Sequence, residues 1–113
     1  MFTITQKRGN NMIINTRQKG NTLYIMLDGE LDEYASKYAK QYLDEAFDNS
    51  IYDNVVFDMK DLSFMDSTGI GVLLGRYKKL RNSYKQAYIA NPNATIEKII
   101  NMSGIYEIMP KIS

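Results

Sequence analysis

Apolar positions along the chain fall into short runs that alternate between a strand-like and a helix-like spacing. "MIINTRQ", from Met12, reads as a strand. "TRQKGNTLYIMLDG" reads as two strand segments around Lys19-Gly20-Asn21, a turn composition suited to a hairpin with positive φ at Gly20 or Asn21. The second of these strands, Thr22 to Leu27, is apolar on both faces, as a central strand would be. After Gly29 the period changes: Tyr34, Ala35, Tyr38, Ala39, Tyr42, Leu43, Ala46 and Phe47 recur in pairs every four residues, which predicts an amphipathic helix. Asp32 stands where the N-cap of that helix would lie. "NVVFDM", Asn54 to Met59, predicts a third strand, and Asp61 to Phe64 leads into "FMDSTGIGVLLGRYK" and a helix from about Thr68 to Asn82. "KQAYIA" predicts a fourth strand, "PNATIEKIINMSG" a helix capped by Asn93 or Thr95 and stopped at Gly104, and "IYEIM" a short last strand.

The resulting order, β-β-α-β-α-β-α-β, defines an α/β fold with helices packed on a mixed β-sheet. Residues 12–113 form one domain. Met1 to Asn11 has no periodic apolar pattern and is expected to be a disordered, dispensable N-terminal extension. In such sheets ligand and partner sites gather where strands hand over to helices, which is where Asp66-Ser67-Thr68-Gly69 lies.

Composition narrows the chemistry. A chain of 113 residues supports one core, and 44% hydrophobic with 24% charged residues is ordinary for a soluble globular protein. No apolar run approaches the roughly 18–20 residues of a membrane span, and no secretory signal opens the chain, so a cytoplasmic protein is expected. The absence of cysteine and histidine removes disulfides, thiol nucleophiles, Ser-His triads and the common zinc sites. A nucleophile–base pair would have to be assembled from Ser, Lys or Asp alone, which disfavours an enzyme. A net charge of +1 gives no reason to expect nucleic acid, so a protein partner is the better expectation.

Candidate sites were weighed in turn. Gly69, Gly71 and Gly75 are spaced G-x-G-x-x-x-G, which misses the dinucleotide fingerprint, and no Gly-Lys-Ser/Thr follows. Asp28, Glu30, Asp32 and Glu33 lack the spacing of a calcium loop and suit the start of a helix. Asp58, Asp61 and Asp66 have nothing aromatic or basic arranged around them for glycoside chemistry. No catalytic residue, metal or cofactor is therefore assigned. "GRYKKLRNSYK" carries five basic residues between Arg76 and Lys85, which read as a solvated outer helix face or, failing that, a surface for an acidic protein partner. On a helical projection Ile70, Leu73, Leu74, Tyr77 and Leu80 form a core stripe, while Ser67, Gly71, Gly75, Lys78 and Asn82 form its neighbour. Each interior glycine costs a helix about 1 kcal/mol relative to alanine. Two on one stripe need a compensating gain, either close packing on the sheet or a bare surface that a partner's backbone can approach. Ser67, at the edge of that stripe, reads on composition alone as an N-cap.

"LDGELD", Leu27 to Asp32, "DLSFMDSTGIGVLLGRYKKL", Asp61 to Leu80, and "MSGIYEIM", Met102 to Met109, together resemble the anti-sigma factor antagonists, a family of the STAS fold, from about Met12 to Met109. "Gly-Arg-Tyr-Lys" favours the sporulation branch, although Ser-Thr after the aspartate also occurs in the general-stress branch. The resemblance implies a non-enzymatic switch that binds an anti-sigma factor with serine kinase activity and releases the sigma factor. It further implies phosphorylation on Ser67 by that kinase and reversal by a phosphoserine phosphatase. Asp66, Ser67, Thr68, Gly69, Gly71 and Gly75 match the motif and would lie in the contact surface, with Asp32 near the modified serine. The family usually continues into a further C-terminal helix, which "PKIS" cannot form. Within the same fold, a nucleotide or small-ligand sensor is the competing reading.

Overall fold

The computed structural model describes residues 3–8 and 12–112. Strands β1 (Thr3–Arg8), β2 (Met12–Lys19), β3 (Thr22–Leu31), β4 (Asn54–Met65), β5 (Gln86–Ala90) and β6 (Lys111–Ile112) form one sheet in the order of the chain. β1, β2 and β3 pair antiparallel, and β3 to β6 pair parallel. Helices α1 (Glu33–Asp48), α2 (Ser67–Asn82) and α3 (Ala94–Ser103) make the three parallel crossovers. From Met12 onward this is the β-β-α-β-α-β-α-β order that the periodicity predicts.

The antiparallel start follows from the turn at Gly20, whose φ of 59° closes the hairpin between Lys19 and Thr22. Alternation along the strands then sends Met12, Ile14, Leu23, Ile25, Leu27, Val55 and Phe57 into the core with Ala35, Ala39 and Leu43 of α1 and Val72, Leu73 and Leu80 of α2. Full burial of each large side chain contributes about 1.5–3 kcal/mol, and this shared core fixes the two helices side by side on the sheet. α3 is capped by Asn93, whose Oδ1 accepts from the Ile96 amide at 2.9 Å while its Nδ2 donates to Leu62 O at 3.0 Å.

Four expectations are corrected. Thr3–Arg8 is not a disordered leader, because it pairs along its whole length with β2 from Thr3↔Arg17 to Arg8↔Met12; the remainder of Met1 to Asn11 lies outside the described residues. "IYEIM" is not a strand: Gly104 turns left-handed at φ 78° and sends Ile105–Glu107 into a 3-10 turn that buries Ile105 and Met109. The last strand is Lys111–Ile112 instead. Tyr34, counted with the apolar face of α1, is 70% exposed in its first turn. Arg76, counted with a solvated basic face, is buried.

Candidate functional site

α1 and α2 begin beside each other at the C-terminal ends of β3 and β4, where β3 has two register shifts against β4, between Met26 and Asp28 and between Gly29 and Glu30. Ser63 Oγ donates to Gly29 O at 3.0 Å, tying β4 to that irregular stretch. Each helix has an aspartate at its N-cap, and extended backbone there leaves the carboxylate free to turn back on the first amides. Asp32 Oδ1 accepts from the Tyr34 and Ala35 amides, both at 3.0 Å. Asp66 does more: Oδ1 accepts from the Gly69 amide of its own helix at 3.0 Å, and Oδ2 from the Glu33 amide of α1 at 3.1 Å. One carboxylate thus joins two helix N-termini, where the helix dipoles favour a negative charge.

Ser67 is the first residue of α2 and not its cap. It is exposed, and its hydroxyl makes no hydrogen bond among the described residues. Thr68 is half-buried beside it. The three glycines of α2 separate into two kinds. A Cβ on Gly69 would run into the Leu31 carbonyl oxygen and come within 2.8 Å of Met65 Cγ, so only glycine lets the first turn settle this close to β3. Gly69 is buried beneath the start of α2. A Cβ on Gly71 or Gly75 would meet nothing within 4 Å. Packing therefore demands neither glycine, and together with exposed Ser67, Lys78 and Asn82 they leave a low strip along the outside of the helix.

The opposite face of α2 is held to α1 by charge. Arg76 Nε and Lys79 Nζ both approach Asp44 Oδ1, at 3.1 and 2.9 Å. The Arg76 side chain keeps only 10% of its surface in water, against 31% for Asp44, and neither its Nε nor its Nη1 makes a hydrogen bond among the described residues. The apolar centre of the helix is consequently turned from the projected stripe: Val72, Leu73, Arg76 and Leu80 are buried, whereas Ile70, Leu74 and Tyr77 pack only partly against the core.

Asp32, Asp66, Ser67, Thr68, Gly71 and Gly75 thus lie on or beside one surface, with Gly69 beneath it. Phe64, 43% exposed, precedes this cluster on β4, and Tyr34 follows the bridged Glu33 amide on α1. Both escaped the sequence reading. Phe64 was not legible from alternation, which would put it on the face of buried Leu62; the burial pattern of β4 is irregular here, with Met59, Leu62 and Met65 all buried. No set of His, Cys, Asp and Glu side chains suited to a metal occurs among the described residues. A cleft of about 590 Å³ lies instead beyond the C-terminal ends of α1 and α2, against Asp48, Tyr52, Lys79 and Lys85. No helix among the described residues is long and apolar enough to cross a membrane.

Residues 13–113 match the STAS domain family, and the chain belongs to it. Anti-sigma factor antagonists are among its relatives. The Anti-sigma F factor antagonist of Paenibacillus polymyxa is 34% identical over 88% of this chain and 86% of its own. The anti-sigma factor antagonist SpoIIAA in its unphosphorylated form superposes with a TM-score of 0.74 at 28% identity, covering 88% of each chain. The Bacillus cell fate determinant SpoIIAA in its phosphorylated form gives 0.67 at 28% identity, covering 88% of this chain and 91% of the other.

Proposed function

We propose that this protein is an anti-sigma factor antagonist of the sporulation type, a non-enzymatic cytoplasmic switch controlled by phosphorylation of Ser67. Its partners on this reading are an anti-sigma factor with serine kinase activity, which it engages to release the sigma factor, and a phosphoserine phosphatase that restores it. The observation that carries the reading is the placement of Ser67: an exposed, unbonded hydroxyl on the first residue of α2, beside a bridging aspartate and at the head of a strip kept low by Gly71 and Gly75. A kinase can reach that hydroxyl without unfolding anything. The similarity to an antagonist whose phosphorylated form has been solved supports the same assignment.

The chemistry follows from the surroundings. A phosphate on Ser67 adds close to two negative charges next to the Asp66 carboxylate, near Asp32 and Glu33. The free first amides and dipole of α2 favour an anion there, so the fold tolerates the modification. In the complex the same charge and bulk press into a surface fitted to a hydroxyl. A loss of about 2.7 kcal/mol already weakens binding a hundredfold. The switch works by repulsion at the interface, with little change of shape.

Ser67→Asp should keep the melting temperature of the parent and bind the cognate kinase about a hundredfold more weakly. Ser67→Ala should bind normally and take no label from kinase and ATP. Labelling of Thr68 in place of Ser67, or undiminished binding by Ser67→Asp, would overturn the mechanism. Equilibrium binding of labelled GTP or ATP by the isolated protein, undisturbed by either substitution, would favour the sensor reading.

A further inference from the structure

The end of α2 farthest from Ser67 carries a feature that phosphorylation at its head does not use. Helices commonly close with a left-handed residue, a position that suits glycine because an L side chain is strained there. α3 closes with Gly104 at φ 78°. α2 closes in the same way but with a tyrosine: Tyr84 has φ 60°, its amide donates to Arg81 O at 3.0 Å, and the Lys85 amide donates to Leu80 O at 2.9 Å. The strain is not offset by burial, since Tyr84 is 94% exposed. A strained position whose side chain packs against so little of the fold points to a use outside the fold.

The ring of Tyr84 borders a groove of about 290 Å³ with Tyr77, Arg81, Lys85, Ala87 and Ile108. Polar and apolar surface both line it, Tyr77, Tyr84 and Ile108 (36% exposed) supplying apolar atoms, and no carboxylate does. Lys78 and Arg81 are exposed and form no ion pair among the described residues, whereas Lys79 is held by Asp44 and Lys85 leans 3.9 Å from Asp53. Cations in the last turn also complement the helix dipole. That accounts for Lys79 and Arg81 but explains neither the exposed left-handed tyrosine nor the groove beside it.

We infer that this groove is a second docking surface, for an acidic peptide segment of a partner protein that carries one apolar side chain. The apolar side chain enters between Tyr77, Tyr84 and Ile108, and a flanking carboxylate meets Arg81. Charge complementarity selects the occupant: the groove is locally basic, while the chain's net charge of +1 offers too little for the many phosphate contacts of a nucleic acid. At about 1.5 Å per residue, α2 sets Tyr77 and Arg81 about 15 and 21 Å along the helix from Ser67. A segment bound here leaves the head of the helix open to the kinase.

The test uses the whole 15N-labelled chain and a fluorescein-labelled peptide with three glutamates on each side of one leucine, beside its glutamine counterpart. The glutamate peptide should shift the amides of Arg81, Tyr84, Gln86, Ala87 and Ile108; the glutamine peptide should not. Arg81→Glu should weaken binding about tenfold or more, the worth of one to two charge-assisted contacts. Tyr84→Gly should weaken it several-fold while raising Tm, an outcome that a purely structural tyrosine would not give. Ser67→Asp should leave peptide binding intact, so this result stands or falls separately from the proposed switch. Equal binding of both peptides, shifts confined to another surface, or a fall in Tm for Tyr84→Gly would overturn the inference. So would a single-stranded oligonucleotide that binds at these residues more tightly than the glutamate peptide.

Discussion

Gly69 and Gly75 stand less than two turns apart on one helix and answer opposite demands. At Gly69 a methyl group would collide with the Leu31 backbone; at Gly75 it would point into open space. The first turn of α2 is therefore fixed by packing, and the middle of the same helix is left bare at a cost in helix propensity that nothing inside the molecule repays. A single repeat of small residues thus contains one position read by the fold and others available to be read by a partner.

The sharpest way to break that contrast is Gly69→Ala. Overpacking against a backbone carbonyl that cannot swing away should cost about 3 kcal/mol, the upper part of the usual range, measured by urea unfolding. A neutral result would mean the first turn has room and the two glycines are alike. Arg76→Met tests the other side of the helix, where α2 is clamped to α1. Asp44 stays partly solvated and keeps Lys79, so the loss should be about 1–2 kcal/mol, below the 3–5 typical of a fully buried pair. Gly75→Ala should move in the opposite direction, gaining about 1 kcal/mol, while Gly75→Leu should stay folded and weaken kinase binding. If Gly75→Leu instead destabilises the fold, the bare strip serves packing after all.

The smallest effect lies away from α2 and serves as a control. Lys111 Nζ donates to Glu97 Oε2 at 2.8 Å, and this bond holds the Glu97 carboxyl below the usual glutamate range. A depressed folded-state value stabilises above the unfolded value and loses that contribution as pH falls through the folded one. Lys111→Met should move the NMR titration midpoint of Glu97 up toward the ordinary range, the Tyr106 hydroxyl still holding it down, and lessen the dependence of stability on pH below about 4.5. Neither Gly69 nor Gly75 should respond.

Local signals made most of this legible in the sequence. Paired apolar residues every four positions mark α1, and both strand-to-helix junctions carry an aspartate, but it is the resemblance to the antagonists that implies Asp32 lies near Ser67. What stayed hidden depends on neighbours distant in sequence. "TITQKR" has no apolar pattern and becomes a strand because β2 offers it an edge. Lys111 and Ile112 are too few to show a period and pair only with Ile89 and Ala90. Arg76 reads as a surface charge until Asp44, on another helix, brings it inward. The second role of Asp66 needs the Glu33 amide, more than thirty residues away.

The identity between strand order in the sheet and strand order in the chain has a consequence for how the protein is made. Every strand docks on the one synthesised before it, although each parallel pair must close a whole crossover, as Thr22 with Asn54 and Asn54 with Gln86, and such non-local pairing is slow. During translation, at about 5–20 residues per second, each new crossover would find its sheet edge already waiting. Leu31, Asp32, Asp66, Ser67 and Gly75 all precede the end of α2 at Asn82. The surface that carries Ser67 would thus be assembled while the C-terminal quarter of the chain was still inside or near the ribosome.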